Sequence, residues 1–177
     1  MTIRRLVTGQ RSGKAVVLSD GPVPTEHHFA ALPGLMSAVV WSTGSPPEVD
    51  VEEGAPVGGP DHPAPGHTVF SIVDFPPESV MAQPGFDPAA LGAEQIQQSP
   101  EMTKRFEVDN PGMHTTDTVD YAIVLQGKIW LDLDDGEPTL LEAGDIVVQQ
   151  RTRHAWRNFG SEIARMAFVL LGTDRVH

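Results

Sequence analysis

One segment carries more information than any other in the chain: Gly112-Met113-His114-Thr115-Thr116-Asp117-Thr118-Val119-Asp120-Tyr121-Ala122-Ile123-Val124-Leu125-Gln126-Gly127. A second segment is built in the same way: Gly144-Asp145-Ile146-Val147-Val148-Gln149-Gln150-Arg151-Thr152-Arg153-His154-Ala155-Trp156-Arg157-Asn158. Each contains a histidine and a run of apolar residues that favours a β-strand. If the two strands face each other across a barrel, we expect His114, Asp120 and His154 to converge.

Two imidazoles and one carboxylate are a good ligand set for a divalent first-row metal. The set formed by His114, Asp120 and His154 suits Fe(II), Mn(II), Ni(II) or Zn(II) about equally, and it leaves positions open for water or substrate. A buried histidine is also commonly a hydrogen-bonded core residue, so the presence of a metal stays open. The same three residues are the catalytic candidates, with Asp120 as the acid or base if it is not a ligand.

Residues on the same strand faces are the candidates for a substrate pocket, because side chains two apart in a strand point the same way. They are Thr116, Ala122, Val124, Gln149 and Trp156. Two of them have an alternative interpretation. Thr116 is either a hydrogen-bond partner for a bound water or substrate or a simple strand former, and Trp156 either walls the pocket or fills the barrel.

From residue 113 onward, short apolar runs alternate with turn signals, which predicts an all-β domain. Ile129, Leu131 and Leu133 recur at every second position, the pattern of a half-buried strand. Asp134-Asp135-Gly136 is a hairpin signal. Short strands at a spacing of about 8 to 12 residues are typical of a sandwich or barrel.

The chain is predicted to form one structural domain in two parts. Residues 1–67 supply N-terminal strands, beginning with a hairpin over residues 3–18, and a proline- and glycine-rich surface loop over residues 43–67. Residues 68–177 form the barrel. We expect the first part to pack on the second, because neither side of the loop is large enough to stand alone.

Residues 87–107 are predicted to form a short helical insert in the barrel. Asp87 is a suitable N-cap, and Pro88 is a suitable first helical residue. Ser99 and Pro100 repeat this start signal, so two short helices are expected. The insert and the long loop are predicted to act as a lid that keeps water out of the barrel.

The composition limits the classes of partner. The formal net charge is −12, from 12 Lys and Arg against 24 Asp and Glu. This argues against nucleic-acid binding, which needs clustered basic residues. No apolar run reaches the ~18 residues of a membrane span, and the N-terminus lacks the apolar core of a signal peptide. We therefore predict a cytoplasmic protein with a small-molecule partner and no membrane contact.

The first segment resembles the first motif of the cupins, which are small β-barrels of the jelly-roll type. That motif has two histidines one residue apart, then a glutamate and a glycine. His114 matches the first histidine, and Asp120 matches the glutamate by its distance from Gly127. Thr116 stands at the second histidine. The resemblance implies that one metal ligand is lost and that the carboxylate is shorter by one methylene.

The second segment resembles the second cupin motif, which has a glycine, a strand, a turn, a histidine and an asparagine four residues later. Gly144, His154 and Asn158 match that order. Gln150 and Arg151 replace the usual turn residues, and the spacing is one residue short. The resemblance implies a cupin-type jelly-roll β-barrel, here with an N-terminal β-hairpin extension and a short helical insert.

Other histidines and arginines are assigned to the surface. We expect His27, His28, His62 and His67 to be solvent-exposed or to belong to the lid. The alternative is that one of them folds over the barrel mouth and replaces the missing ligand. Three arginines could bind a substrate carboxylate, although solvated surface positions are the simpler interpretation; these are Arg153, Arg157 and Arg165.

The resemblance implies a metal-dependent enzyme that acts on a small organic substrate with a carbonyl or carboxylate group. We predict lyase- or isomerase-like chemistry, because the ligand set is not the full cupin set. A metal-dependent dioxygenase is an alternative, since two histidines and one aspartate resemble the facial triad of oxygen-using iron enzymes. A metal-free binding protein and a metal-free enzyme with His and Asp as acid and base also stay open. Such barrels commonly pair, so we predict a homodimer.

Overall fold

The structure is a computed structural model that describes residues 2–51 and 60–174. The middle of the predicted proline- and glycine-rich loop, residues 52–59, lies outside the described residues, as do residue 1 and residues 175–177. The described strands are β1 (Arg4–Arg11), β2 (Lys14–Pro22), β3 (His27–His28), β4 (Met36–Thr43), β5 (Thr68–Phe75), β6 (Thr118–Gln126), β7 (Lys128–Asp132), β8 (Thr139–Glu142), β9 (Ile146–Gln150), β10 (Ala155–Arg157) and β11 (Ala164–Gly172). The described helices are α1 (Pro88–Gln98) and α2 (Pro100–Thr103), both between β5 and β6, with a 3₁₀ turn at Glu78–Val80.

Two antiparallel sheets pack together to form the barrel. One has six strands in the order β3-β4-β5-β11-β6-β9, and the other has three in the order β10-β7-β8. The core between them is an apolar cluster with members from both sheets: Ala122, Val124, Ile129, Ala164 and Met166. Because side chains alternate along a strand, every second residue of β6 points into this core. The prediction of an all-β jelly roll is confirmed.

The first part of the chain contributes both a hairpin and two strands of the larger sheet. The predicted hairpin is present as a separate sheet of β1 and β2. β4 pairs along β5, so the six-stranded sheet crosses the boundary that we predicted between residues 67 and 68. A second apolar cluster joins this part of the chain to the side chains Phe70 and Ile72 of β5; its buried members are Val23, Met36, Ala38 and Val40.

The helical insert begins as predicted and ends earlier. The carboxylate of Asp87 accepts hydrogen bonds from the N–H groups of Ala89 at 2.9 Å and Ala90 at 3.2 Å, which caps α1. The last helical residue is Thr103, so the predicted extent to residue 107 is too long. The reason is that Phe106 forms a β-bridge with His114, which draws the chain into the barrel. No described helix has the length and apolar character that a membrane crossing requires.

Candidate functional site

The two histidines of the key segments lie side by side at one end of the barrel. His114 and His154 form an isolated antiparallel bridge, in which each N–H donates to the other residue's carbonyl at 2.9 Å. The ring centroids are 4.2 Å apart, with 50° between the ring planes. Both residues are buried. Backbone pairing therefore places the two imidazoles in contact, as the two sequence segments predict.

Each ring is fixed in one tautomer by a nearby carbonyl. The Nδ1 of His114 lies 2.9 Å from the carbonyl of Gly112, and the Nδ1 of His154 lies 2.9 Å from the carbonyl of Thr152. A carbonyl can only accept, so each Nδ1 carries the hydrogen. Each Nε2 is then the nitrogen with a free lone pair. The pair of rings presents two acceptors.

Burial keeps both rings neutral near pH 7. It lowers the pKa of His114, and the positive charge of Arg105 lowers it further. Burial lowers the pKa of His154 to about 4, with a further contribution from His114. The physical reason is that a buried imidazolium has lost its hydration and that two adjacent rings repel each other when charged.

Asp120 adds a carboxylate to the same end of the barrel. It lies on the inner face of β6, where it is 6% exposed. Its Oδ2 accepts a weak hydrogen bond from Thr116 Oγ1 at 3.4 Å, whereas Oδ1 is buried without a partner. Burial raises the pKa of this carboxyl to about 6, although the hydroxyls of Thr118 and Thr116 lower it in part. The Thr118 hydroxyl lies near the carboxyl but makes no hydrogen bond of proper geometry, since its Oγ1 also lacks a partner.

The predicted pocket residues divide between the site and the core. Thr116 is 2% exposed and hydrogen-bonds Asp120. Gln149 lies opposite Asp120 in the pairing of β9 with β6, and its amide donates to the Thr152 hydroxyl. Trp156 packs edge-on against His154, with 5.8 Å between ring centroids. Ala122 and Val124 belong instead to the apolar core described above.

Phe106 is a site residue that sequence reasoning missed. Its ring packs edge-on against His114, with centroids 5.1 Å apart, on the side away from His154. We predicted a helix at this position, which hid its strand-like pairing. The only sequence signal is its place a few residues before the key segment. Phe106 and Trp156 thus cover the two rings with apolar surface.

Known proteins of several fungi share part of this sequence. A phomopsin biosynthesis cluster protein of Diaporthe leptostromiformis is 48% identical over 60 residues, which are 33% of this chain and 32% of that protein. A cupin-domain-containing oxidoreductase of Aspergillus ruber is 38% identical over 73 residues, 40% of this chain and 36% of that protein. The matched stretch therefore covers about a third of the length of these relatives. Over this stretch the chain is similar to proteins that are named as cupin-domain-containing.

Other comparisons with known cupins are weaker. An RmlC-like cupin family protein from Methanocaldococcus jannaschii, with a double-stranded β-helix fold, has a TM-score of 0.40 and 15% identity, over 62% of this chain and 74% of that chain. No family model matches the sequence.

The described residues of this site do not by themselves supply a catalytic metal centre. Such centres commonly have three protein ligands. Within residues 2–51 and 60–174, no group of three or more His, Cys, Asp or Glu side chains is placed to hold a metal ion. The predicted set of His114, Asp120 and His154 is therefore not assembled as one metal group. Thr116 occupies the second-histidine position, and its hydroxyl engages the shorter carboxylate of Asp120.

The three arginines singled out from the sequence are engaged by carboxylates. Arg153 pairs with Glu107 at 2.6 Å and Asp134 at 2.5 Å. Arg157 lies 3.3 Å from Asp132, and Arg165 lies 2.6 Å from Asp74. These ion pairs join segments that are distant in sequence. None of the three arginines is thus left to bind a substrate carboxylate.

Asn158 and His62 have structural surroundings that the sequence did not reveal. Asn158 is 2% exposed, and its amide donates to the carbonyls of Phe75 and Glu162 at 2.8 Å each, so it ties together strand ends.

His62 is 8% exposed, which corrects the prediction of solvent exposure. The reason is that Asp61 caps α2, accepting from the Met102 N–H at 3.0 Å, and this draws the loop inward.

The other three histidines do not share this burial. His28 is exposed and lies 2.9 Å from Glu26. His27 is half-buried and lies 2.8 Å from Glu94 of α1. His67 is also half-buried. The predicted surface position therefore fits His28 best.

Proposed function

We propose that this protein is an enzyme that transfers protons on a small organic substrate with a carbonyl or carboxylate group, in an isomerase or lyase type of reaction. One observation carries the proposal: Asp120 Oδ1 is a buried carboxylate oxygen without a partner, at the end of the barrel that holds two neutral histidines. A buried polar atom without a partner is costly, and in a native structure it calls for an explanation. A substrate proton is a suitable partner.

The proposed roles follow from the acceptors that the site presents. Asp120 takes a proton from an acidic C–H or O–H group of the substrate. Its pKa of about 6 suits this task, because a base works best when its pKa lies near the working pH. The Nε2 atoms of His114 and His154 accept hydrogen bonds or receive the proton in transit. Phe106 and Trp156 cover the rings and limit access of water.

Hydrogen exchange in heavy water tests this proposal. Small ketones, keto acids and hydroxy acids are incubated with the protein in D₂O, and loss of the C–H signal beside the carbonyl is followed by NMR. We expect exchange with the intact protein and none with Asp120→Asn. Lys128→Gln, on the exposed side of β7, is the control and keeps full activity. Exchange that persists in Asp120→Asn would contradict the proposal.

A metal-dependent oxidoreductase, including the predicted dioxygenase, is the second candidate. Two observations favour it: relatives that match part of the chain are named oxidoreductases, and both rings direct Nδ1 to a carbonyl, as metal-ligating histidines do. The donor set described above falls short of three protein ligands, so no step is assigned to a metal. Metal content after anaerobic loading with Fe(II) or Mn(II) tests this candidate. Stoichiometric metal that is lost in His114→Ala and His154→Ala would favour it over the first.

The predicted homodimer also stays a proposal, as does the cytoplasmic location. The homodimer is supported by the exposed apolar surface of β6 and β9, where Tyr121 is 44%, Ile146 67% and Val148 54% exposed. Residues of alternate positions share the outer face of these strands. A second copy that packs on this face would bury them. Sedimentation velocity of the intact chain and of Val148→Lys measures the mass directly.

A further inference from the structure

One cavity is lined by residues that are adjacent in sequence to those of the candidate site. Its volume is about 420 Å³, and its lining includes His62, Arg105, Asp117 and Thr173. Arg105 directly precedes Phe106, whose ring packs on His114. Asp117 directly follows Thr116, which hydrogen-bonds Asp120. The backbone that forms this cavity is therefore continuous with the backbone that carries the site.

Arg105 forms no ion pair with a described carboxylate, although its charge contributes to a lowered pKa of Glu101. Its guanidinium donates to the carbonyl of Glu101 at 2.6 Å and to His62 at 3.2 Å, both uncharged acceptors. The carboxylates of the lining have other cations: Glu101 lies 2.5 Å from Lys104, and Asp117 lies 3.1 Å from Arg151. Arg153, Arg157 and Arg165, in contrast, each have a carboxylate of their own. Arg105 is thus placed to pair with an anion that no described residue supplies.

Arg105 fixes the tautomer of His62. A guanidinium can only donate hydrogen bonds, so Arg105 fixes the lone pair of His62 at Nδ1 and the hydrogen at Nε2. This Nε2 is buried without a hydrogen-bond partner. The Pro63 carbonyl lies close enough to favour a proton on the ring, but it is the weakest influence on the pKa and makes no hydrogen bond to Nε2. Burial lowers the pKa of His62, so the ring is a neutral donor near pH 7.

We propose that Arg105 forms a carboxylate-binding subsite, in which the guanidinium N–H groups that Glu101 and His62 leave unused donate to the substrate carboxylate, while His62 holds the guanidinium in place. This inference rests on the proposed function and narrows its substrates to carboxylic acids. A planar guanidinium has five N–H donors, and a carboxylate supplies the counter-charge that it lacks. The charge of Arg105 also acts on His114, whose pKa it lowers, which places the subsite near the histidine pair.

Acetate and its neutral analogue acetamide test the subsite without knowledge of the substrate. The imidazole ¹⁵N signals of the intact chain are recorded during titration with each compound, and His62→Gln identifies the His62 signals. We expect the Nε2–H tautomer at His62 and a saturable shift with acetate, at least tenfold weaker with acetamide. Equal shifts with the two compounds, or no saturable shift with acetate, would overturn the inference.

Variants at Arg105 test the charge separately from the fold. Arg105→Gln is expected to weaken acetate binding at least tenfold, while Arg105→Lys retains part of it because the charge stays. Lys128→Gln is the control and leaves acetate binding unchanged, since its ammonium is exposed and pairs with Glu142, away from the cavity. Acetate binding that is undiminished in Arg105→Gln contradicts the subsite.

The same reagents distinguish failure of the subsite from failure of the proposed function. If Asp120→Asn binds acetate normally and no carboxylic acid exchanges hydrogen in the intact protein, the subsite stands and the proton-transfer function fails. If neutral ketones exchange as fast as keto acids, and Arg105→Gln exchanges both at the wild-type rate, the function stands and the subsite fails.

Discussion

The described residues include three buried histidines, and these are fixed in two opposite tautomers. In the barrel, carbonyls fix the hydrogen of His114 and His154 on Nδ1, so both rings present an acceptor. In the neighbouring cavity, Arg105 fixes the hydrogen of His62 on Nε2, so this ring presents a donor. The same side chain thus serves two chemistries, and a single backbone or guanidinium contact decides which.

This contrast divides the proposed work of the protein. In the barrel, Asp120 and the two histidines present acceptors, which suits the removal of a proton. In the cavity, Arg105 presents a positive charge without an ion-pair partner among the described residues, which suits the binding of an anion beside the paired carboxylates of Glu101 and Asp117. A substrate that carries both an acidic hydrogen and a carboxylate matches the two regions together. The predictions below perturb one region while the other serves as the reference.

The largest expected effect is the loss of catalysis in Asp120→Asn. General-base catalysis by one positioned side chain typically contributes 10²–10⁴-fold in rate, so we expect a loss of roughly that size. Acetate binding at the cavity should be unchanged in this variant, because Arg105 and His62 are intact. Rates of hydrogen exchange measure the loss of catalysis, and the ¹⁵N titration measures acetate binding. Loss of both together would indicate a general disturbance of the fold, and the division into two regions would be wrong.

The next largest effect is the change in the free energy of unfolding with pH that His154 causes. Its pKa falls from 6.5 to about 4 on folding, so the unfolded chain binds a proton between these values and the folded chain does not. The free energy of unfolding therefore decreases as the pH falls from 6.5 to 4, by about 3 kcal/mol from this ring. In His154→Gln this loss disappears. Chemical denaturation at pH 4.5 and pH 7.5 measures the difference, and an equal loss in variant and wild type would contradict it.

Asp120 acts in the opposite direction over nearly the same range. Its pKa rises from 3.8 to about 6 on folding, so the folded chain binds the proton more tightly. Ionisation then lowers the free energy of unfolding as the pH rises from 3.8 to 6, by about 3 kcal/mol in all. We expect Asp120→Asn to be more stable than wild type at pH 7 and of equal stability at pH 3. Denaturation curves of the variant and the wild type at pH 3 and pH 7 measure these differences. A variant that is less stable than wild type at pH 7 would show that the ionised carboxylate of Asp120 does not destabilise the fold.

Much of the barrel was predictable from the sequence, because its signals are local. Alternating apolar residues mark the strands: Ile129 and Leu131, two positions apart, are both buried in β7. Gly127 shows why a motif glycine is needed: φ is +76°, and a Cβ there would lie 2.7 Å from the Ile163 carbonyl. We predicted that His114 and His154 would converge from strands that face each other across the barrel, whereas direct backbone pairing brings them together.

The parts that escaped prediction depend on contacts between distant segments. The hydrogen bond between Arg105 and His62 joins residues 43 positions apart, and no pattern in either segment predicts it. Phe106 was assigned to a helix because its neighbours favour one, whereas its pairing with His114 determines its conformation. Asp120 was predicted as a metal ligand, but its unpartnered oxygen and its bond to Thr116 emerge only from the packed barrel.

The smallest expected effect concerns Thr116, and it refines the assignment of Asp120 as the base. The Thr116 hydroxyl donates to Asp120 Oδ2 at 3.4 Å and so favours the ionised carboxyl. Thr116→Val removes this donor while it keeps the shape of the side chain, so the pKa of Asp120 should rise above its present value of about 6. The acid limb of the pH–rate profile should then move to higher pH, with little change in the maximal rate. Thr118→Val is the matched variant on the next inward position; its hydroxyl also lowers the pKa of Asp120, so a shift in the same direction is expected. An acid limb that stays in place in Thr116→Val would show that a group other than Asp120 controls it.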